Sequence, residues 1–275
     1  MKYIDLDRIE FVITDICSGR CKHCSNSESS SSSKCVDAVA ATAAVQQLTQ
    51  RFAIRSIMTF GGEPLLYPDT VCRIHAAARD SGIPERQLIT NGFFSKDEEQ
   101  IDTVAKTLCD SGVTDILVSV DVFHQEFIPI EPVTRFAEAL RKYNVSSLQI
   151  QPAWVVNEQD ENPYNTETKR LLQAFTDKGF RINEGNNVFP SGNALRYLSA
   201  YFAPPENIDL SIPCGSAPYT TRLDAINCFG INPNGGVSLC SITIGNIHDD
   251  DILNIVDRYN PHNIPADCIG QQCSV

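Results

Sequence analysis

Between residues 8 and 188 the sequence alternates strand-like and helix-like stretches, always strand first. Strands are expected at Arg8–Ile16, Ile54–Phe60, Gln87–Thr90, Asp115–Asp121, Ser147–Val156 and Phe180–Val188. Helical patterns fill the gaps at Asp37–Phe52, Thr70–Asp80, Lys96–Cys109, Pro132–Tyr143 and Thr166–Lys178. Gly82, Gly112 and Gly179 follow helices as stop signals, and Pro132 opens one. Six such units in a row predict an α/β fold of parallel strands with helices outside, either an open doubly wound sheet or a barrel-like one. Both architectures place ligands at the C-terminal strand ends.

Residues that carry chemistry collect at those ends: Cys17, Gly61, Asn91 and Asp121. The richest stretch is Cys17-Ser18-Gly19-Arg20-Cys21-Lys22-His23-Cys24, a CxxxCxxC pattern. It has three readings: buried thiols, part of a zinc site, or three ligands of an iron–sulfur cluster. Zinc sites usually join paired CxxC knuckles to a distant second pair, and no CxxC partner lies nearby. Three thiolates leave one iron of a cubane cluster without a protein ligand, and an open metal position is where chemistry happens.

CxxxCxxC after the first strand and Gly61-Gly62-Glu63-Pro64 after the second, in that order, resemble the radical S-adenosylmethionine (radical SAM) enzymes. The likeness covers roughly residues 8–200 and implies a partial (β/α)6 TIM-like barrel. It implies that Cys17, Cys21 and Cys24 hold three irons of a 4Fe–4S cluster and that SAM chelates the fourth. It places His23, where the family usually has an aromatic residue, beside the adenine. Gly61, Gly62, Glu63 and Pro64 would form the cradle for the methionine amino group. Ser119, Asp121 and Asn91 would supply polar contacts to SAM. Val188-Phe189-Pro190-Ser191-Gly192-Asn193-Ala194 resembles the family's Pro-x-Gly-x-Ala segment, which adds Gly192 to the cofactor residues; Asn193 stands where Arg is common. The implied reaction is reductive cleavage of SAM to a 5′-deoxyadenosyl radical that abstracts hydrogen from a substrate. An external one-electron reductant of the flavodoxin or ferredoxin type is implied with it.

Pro204-Pro205 and Pro213 mark a boundary, giving expected domains at 1–205 and 206–275. Beyond it, Thr221–Ile231 and Val237–Ser241 are expected to pair across Asn234-Gly235 as a type I′ hairpin, followed by a helix over Asp249–Tyr259. Cys214, Asn232 to Cys240, and Ile244-Gly245-Asn246-Ile247 resemble the SPASM and Twitch domains of peptide-modifying radical SAM enzymes. That resemblance implies one auxiliary 4Fe–4S cluster on Cys214, Cys240, Cys268 and Cys273, with Cys228 spare; a zinc site or free thiols are the bland alternative. It also implies a peptide or protein substrate, altered by epimerisation, thioether or carbon–carbon cross-linking, or oxidation. Cys228 or Cys35 is then a candidate hydrogen-atom donor, as in the superfamily's peptide epimerases. His124 and Glu126, just after the fourth strand, are candidates to face the reacting atoms. Small-molecule or cofactor biosynthesis by the same route is the alternative enzyme reading. A non-enzymatic iron–sulfur carrier or scaffold is a further one, though a carrier needs no SAM cradle.

Composition enters at two points. Eleven cysteines in one chain favour metal ligands over disulfides in a reducing compartment; Cys72 and Cys109, alone in helices, read as small buried residues. A net charge of −12 argues against nucleic acid or an anionic membrane as partner. With no signal-peptide pattern and no apolar run of spanning length, a cytoplasmic location is expected.

Overall fold

A computed structural model of the chain describes residues 3–25, 35–202, 222–239 and 242–263. In chain order the elements are β1 (Ile4–Val12), α1 (Ala38–Arg51), β2 (Ser56–Phe60), α2 (Pro68–Asp80), β3 (Glu85–Thr90), α3 (Glu98–Ser111), β4 (Asp115–Ser119), α4 (Val122–Gln125), α5 (Ile130–Lys142), β5 (Ser147–Gln151), β6 (Ala153–Trp154), α6 (Pro163–Asp177), β7 (Arg181–Ile182), β8 (Asn186–Asn187), α7 (Gly192–Leu198), β9 (Ile226–Ile231), β10 (Gly236–Leu239), β11 (Ile242–Asn246) and α8 (Ile252–Arg258). The main sheet runs β11-β10-β9-β1-β2-β3-β4-β5-β7. Every pairing from β9 through β7 is parallel. The fold is the expected α/β one, a parallel sheet of the partial TIM-barrel kind.

Alternation along the strands separates two faces. Ile9, Phe11, Ile57, Leu88, Ile116, Val118 and Ile150 join the apolar core with Ala44, Leu48, Ile74, Leu108, Phe136 and Leu140 of the surrounding helices. The other face is polar. Arg8 reaches Glu10 at 2.8 Å, Ser56 at 3.2 Å and Gln87 at 2.8 Å, and Gln87 donates to Asp115 at 3.1 Å. The first strand is therefore two-faced, and it ends at Val12; Thr14, beyond it, forms an isolated bridge to Cys35. The sixth expected strand divides into β7, which pairs with β5, and β8, which pairs with β6 in a separate two-stranded sheet.

The hairpin forms, but its turn is not type I′. Asn234 is absent from the residues with positive φ, which that turn requires. Gly235 N–H instead closes on Asn232 O at 2.9 Å, with Gly235 at φ +82°. This is a turn through Pro233-Asn234 followed by a left-handed glycine bulge. β9 lies parallel on β1, so the hairpin extends the barrel's own sheet, and Arg51 of α1 meets Asp257 of α8 at 2.5 Å. Cys214, Cys240, Cys268 and Cys273, and the Ser-rich stretch 26–33, lie outside the described residues. Among the described residues, no helix is long and apolar enough to cross a membrane.

Candidate functional site

Four strand ends and one helix start meet around the Cys17–Cys24 loop. Gly19 shows how its thiols are arranged: a Cβ there would lie 3.2 Å from Cys21 Sγ and 3.8 Å from Cys17 Sγ. Gly19 N–H also donates to Cys17 Sγ at 3.3 Å. All three cysteines are free thiols. Burial pushes the Cys17 thiol up to about 11, and burial also pushes Cys21 up. Without a metal both are protonated near neutral pH, so a cation binding them must displace protons.

The Gly61–Pro64 segment clasps the base of this loop. Gly62 N–H donates to Thr14 O at 2.7 Å and Glu63 N–H to Ile16 O at 2.8 Å. A Cβ on Gly61 would fall 2.6 Å from Thr14 O, and one on Gly62 would fall 2.1 Å from Ile16 O. The glycines are thus required first by the approach of backbone to backbone. Glu63 is fully enclosed, and its carboxylate accepts from Leu65 N–H (2.8 Å), Thr90 Oγ1 (2.6 Å) and Asn91 N–H (2.8 Å). Burial outweighs those donors and lifts its carboxyl to about 7. Glu63 therefore ties β2 to β3, with its acceptors already committed within the protein. Pro64 is buried at the start of the 3-10 turn Pro64–Leu66.

Asn91 carries the same chain of contacts up to the cysteines. Its side-chain amide donates to Ser18 Oγ at 3.1 Å and points at Cys17 Sγ at 3.5 Å. From the other side, Asn193 N–H donates to Cys24 O at 3.0 Å, and Asn193 Nδ2 to Cys21 O at 3.3 Å. Gly192 begins α7 at φ +54°, and Ser191 Oγ reaches Ser25 O at 3.0 Å. The Asn193 clamp could not be foreseen from its position, where a longer side chain was the family's habit.

After β4, Asp121 caps α4 by accepting from Phe123 N–H and His124 N–H, both at 3.0 Å. Its other oxygen accepts from His124 Nδ1 at 2.8 Å and Ala153 N–H at 3.2 Å. Burial alone would raise the Asp121 carboxyl, but the charge and hydrogen bonds of His124 hold it down at about 2. Burial works against charge on His124 too; there the Asp121 carboxylate prevails and raises it. His23 packs its ring 4.9 Å from those of both Phe123 and His124, its Nδ1 buried without a partner. Burial pulls His23 down to about 4.

The remaining candidates are spread out. Ser119 is half-buried at the end of β4, in register with Gln151. Glu126 pairs with Lys22 at 2.8 Å beside a cavity of about 650 Å³ between α4 and α6. Cys35 donates to Thr70 Oγ1 of α2 at 3.6 Å and to Val36 O at 3.4 Å, at the start of α1 and away from the cysteine loop's own contacts. Cys228 sits on β9 in register with Arg8, on the sheet's polar face. Arg8, the hub of that face, lies outside every motif. Its signal was the alternation of Arg8 and Glu10 with Ile9 and Phe11.

Two thiols set about Gly19, with Cys24 on the same short loop and amide side chains bracing it on both sides, form a donor set that fits three ligands of an iron–sulfur cluster. The His23 ring carries a buried orphan nitrogen, and Gly61, without a side chain, is exposed at the end of β2.

Comparison with known proteins agrees. A family model, the Radical SAM superfamily, matches residues 11–152, just over half of the chain. The chain is 26% identical over 140 residues to a probable GTP 3′,8-cyclase of Methanocaldococcus jannaschii, covering 51% of this chain and 44% of that protein. It is 30% identical over 123 residues to the GTP 3′,8-cyclase of Limosilactobacillus fermentum, covering 44% and 35%. It thus spans less than half the length of these curated relatives. The structure of native anSMEcpe with bound AdoMet and Cp18Cys peptide superposes with a TM-score of 0.59 at 15% identity, covering 96% of this chain and 85% of that one. With the cysteine loop, its clasp and the parallel barrel in place, the chain belongs to the radical SAM superfamily.

Proposed function

We propose that this radical SAM enzyme takes hydrogen from a peptide or protein. The observation that carries this reading is the polar inner face of the sheet. It presents amides and carboxylates in a ladder: Glu10, Gln87, Asp115, Gln149, Gln151 and Asn183. These groups match the donors and acceptors of a peptide backbone. On that face Glu10 partners Arg8, and Arg181 stands in register with Gln149 at its edge. The fold likeness to a peptide-bound structure supports the same reading.

Cys17, Cys21 and Cys24 would hold the 4Fe–4S cluster, and SAM would sit on the rim formed by His23, Gly61, Ser119, Asp121 and Gly192. Bound there, cluster and SAM supply a one-electron cleavage that yields a carbon radical able to abstract unactivated hydrogen. The chain's own part is positioning. Asn91 and Asn193 hold the loop, Asp121 fixes His124, and the barrel wall keeps water from the reacting carbon. His124 and Glu126 would face the reacting atoms, with Cys35 and Cys228 as candidate hydrogen donors. An external reductant of the flavodoxin or ferredoxin type would feed the cluster. In residues 206–275, Cys214, Cys240, Cys268 and Cys273 would bind an auxiliary cluster of the SPASM/Twitch kind.

The second reading, a small-molecule substrate, is favoured by the sequence likeness to GTP 3′,8-cyclases. Anaerobic reconstitution with dithionite and SAM separates the two. A degenerate peptide pool that stimulates 5′-deoxyadenosine release, where GTP does not, supports the peptide reading. Stimulation by GTP alone overturns it. No 5′-deoxyadenosine under any condition would remove the radical chemistry itself.

A further inference from the structure

Among the described residues, three metal-ligating side chains converge that do not coincide with the three cluster cysteines. The ligand atoms of Cys21, His23 and His124 all lie within 4.8 Å of one another. They come from two separate segments, the cysteine loop and α4. His124 Nδ1 lies 2.8 Å from the Asp121 carboxylate, so in the neutral ring that donates there Nε2 is the nitrogen open to a metal. Asp121 is itself fixed by three backbone N–H groups, those of Phe123, His124 and Ala153. His23 contributes a buried Nδ1 that no protein group satisfies, although its ring is held between Phe123 and His124.

An imidazole whose far nitrogen is anchored on a carboxylate is the usual outer arrangement of a metal-binding histidine. Two imidazoles with one thiolate suit zinc or ferrous iron and ill suit magnesium or calcium, which take oxygen ligands. Ligands on a tetrahedral zinc stand about 3.5 Å apart, so the three side chains need close by only about an ångström, within the reach of side-chain rotation. The fourth position is open to water or to Cys24.

We propose that, before its cluster is assembled, the chain holds one divalent cation of the zinc or ferrous type on Cys21, His23 and His124, with Asp121 orienting His124. Cys21 belongs to both donor sets, so the single ion and the cluster exclude each other. The proposal does not depend on the substrate reading.

The test uses the full chain, freed of iron by an anaerobic chelator treatment and titrated with Co²⁺. One equivalent should produce tetrahedral d–d bands and a sulfur-to-cobalt charge-transfer band, and Zn²⁺ should displace it. His23→Ala and His124→Ala should each weaken binding by at least 100-fold. Asp121→Asn should weaken it 10- to 100-fold, and Cys17→Ala should leave it unchanged. Should His124→Ala fail to fold by circular dichroism, His124→Cys serves instead; it should keep the site and strengthen the charge-transfer band. Zinc loaded beforehand should slow iron–sulfur reconstitution of the wild type several-fold, and much less in His124→Ala. Tight cobalt binding that survives the loss of both histidines but disappears in Cys17→Ala would put the ion on the thiols alone and overturn the proposal. So would the absence of saturable binding in the wild type.

Discussion

Asn193 donates its backbone N–H to the carbonyl of Cys24 at 3.0 Å, joining the start of α7 to the end of the cysteine loop. Its side chain adds the bond to Cys21 O at 3.3 Å. Two consecutive ligand positions are thereby held by one residue from far along the chain. Asn193→Ala keeps the first bond and removes the second, a net contribution of about 1 kcal/mol. The melting temperature of the cluster-free chain should fall by only about 3 °C. Iron release from the reconstituted protein to a chelator should speed up several-fold, because the loop that grips the cluster loses its brace. An unchanged release rate would show that the backbone bond alone suffices.

Glu63 gives the fold a pH dependence opposite to that of a salt-bridged carboxylate. Burial lifts it from an ordinary value of 4.5 to about 7. Between those values the folded chain binds more protons than the unfolded one, so stability is full below 4.5 and declines as pH rises through 7. The span corresponds to about 3 kcal/mol. Urea unfolding of the cluster-free chain at pH 4 and pH 8 should show this loss in the wild type. Glu63→Gln cannot titrate, so its own change between the two pH values should be smaller by that amount. Equal pH dependence in both proteins would mean that Thr90 and the two backbone donors hold Glu63 ionised throughout.

Gly62 and Gly82 provide a matched contrast. A Cβ on Gly62 would lie 2.1 Å from Ile16 O, whereas nothing lies within 4 Å of one on Gly82, at φ +79°. Gly82→Ala carries only the left-handed backbone cost of about 1 kcal/mol, a fall of roughly 3 °C. Gly62→Ala must push the β2 loop off the cysteine loop, costing about 3 kcal/mol or more. It should also impair cluster assembly, measured as iron retained per chain. Equal melting temperatures for the two variants would contradict the backbone clasp.

The sequence made the β/α alternation and the cysteine loop legible because both are local patterns. Strand period, glycine stops and thiol spacing need no knowledge of what lies across the sheet. What stayed hidden depends on long-range approach. Gly61 and Gly62 also serve a clasp that no local spacing announces: a Cβ on either would strike Thr14 O or Ile16 O. Glu63 also accepts from Leu65, Thr90 and Asn91, a tie between β2 and β3 that the motif does not announce. β9 read as part of a separate appendage, and its parallel partner is β1, more than 200 residues earlier in the chain. Asn234-Gly235 read as a type I′ turn because the dipeptide signal ignores Pro233, whose fixed φ suits the first corner of an ordinary turn.

Iron counting tests the auxiliary set of Cys214, Cys240, Cys268 and Cys273 directly. If they bind an auxiliary cubane, the reconstituted chain carries about eight irons, and about four once Cys17, Cys21 and Cys24 are all replaced by Ala. In that triple variant the remaining cluster should have no open iron, so SAM should leave its electron paramagnetic resonance signal unchanged. The reverse variant, Cys268→Ala with Cys273→Ala, should keep about four irons and a SAM-responsive signal. A wild-type chain that saturates near four irons, with zinc retained on the tail thiols, would remove the auxiliary cluster, and with it the resemblance that first pointed to a peptide substrate.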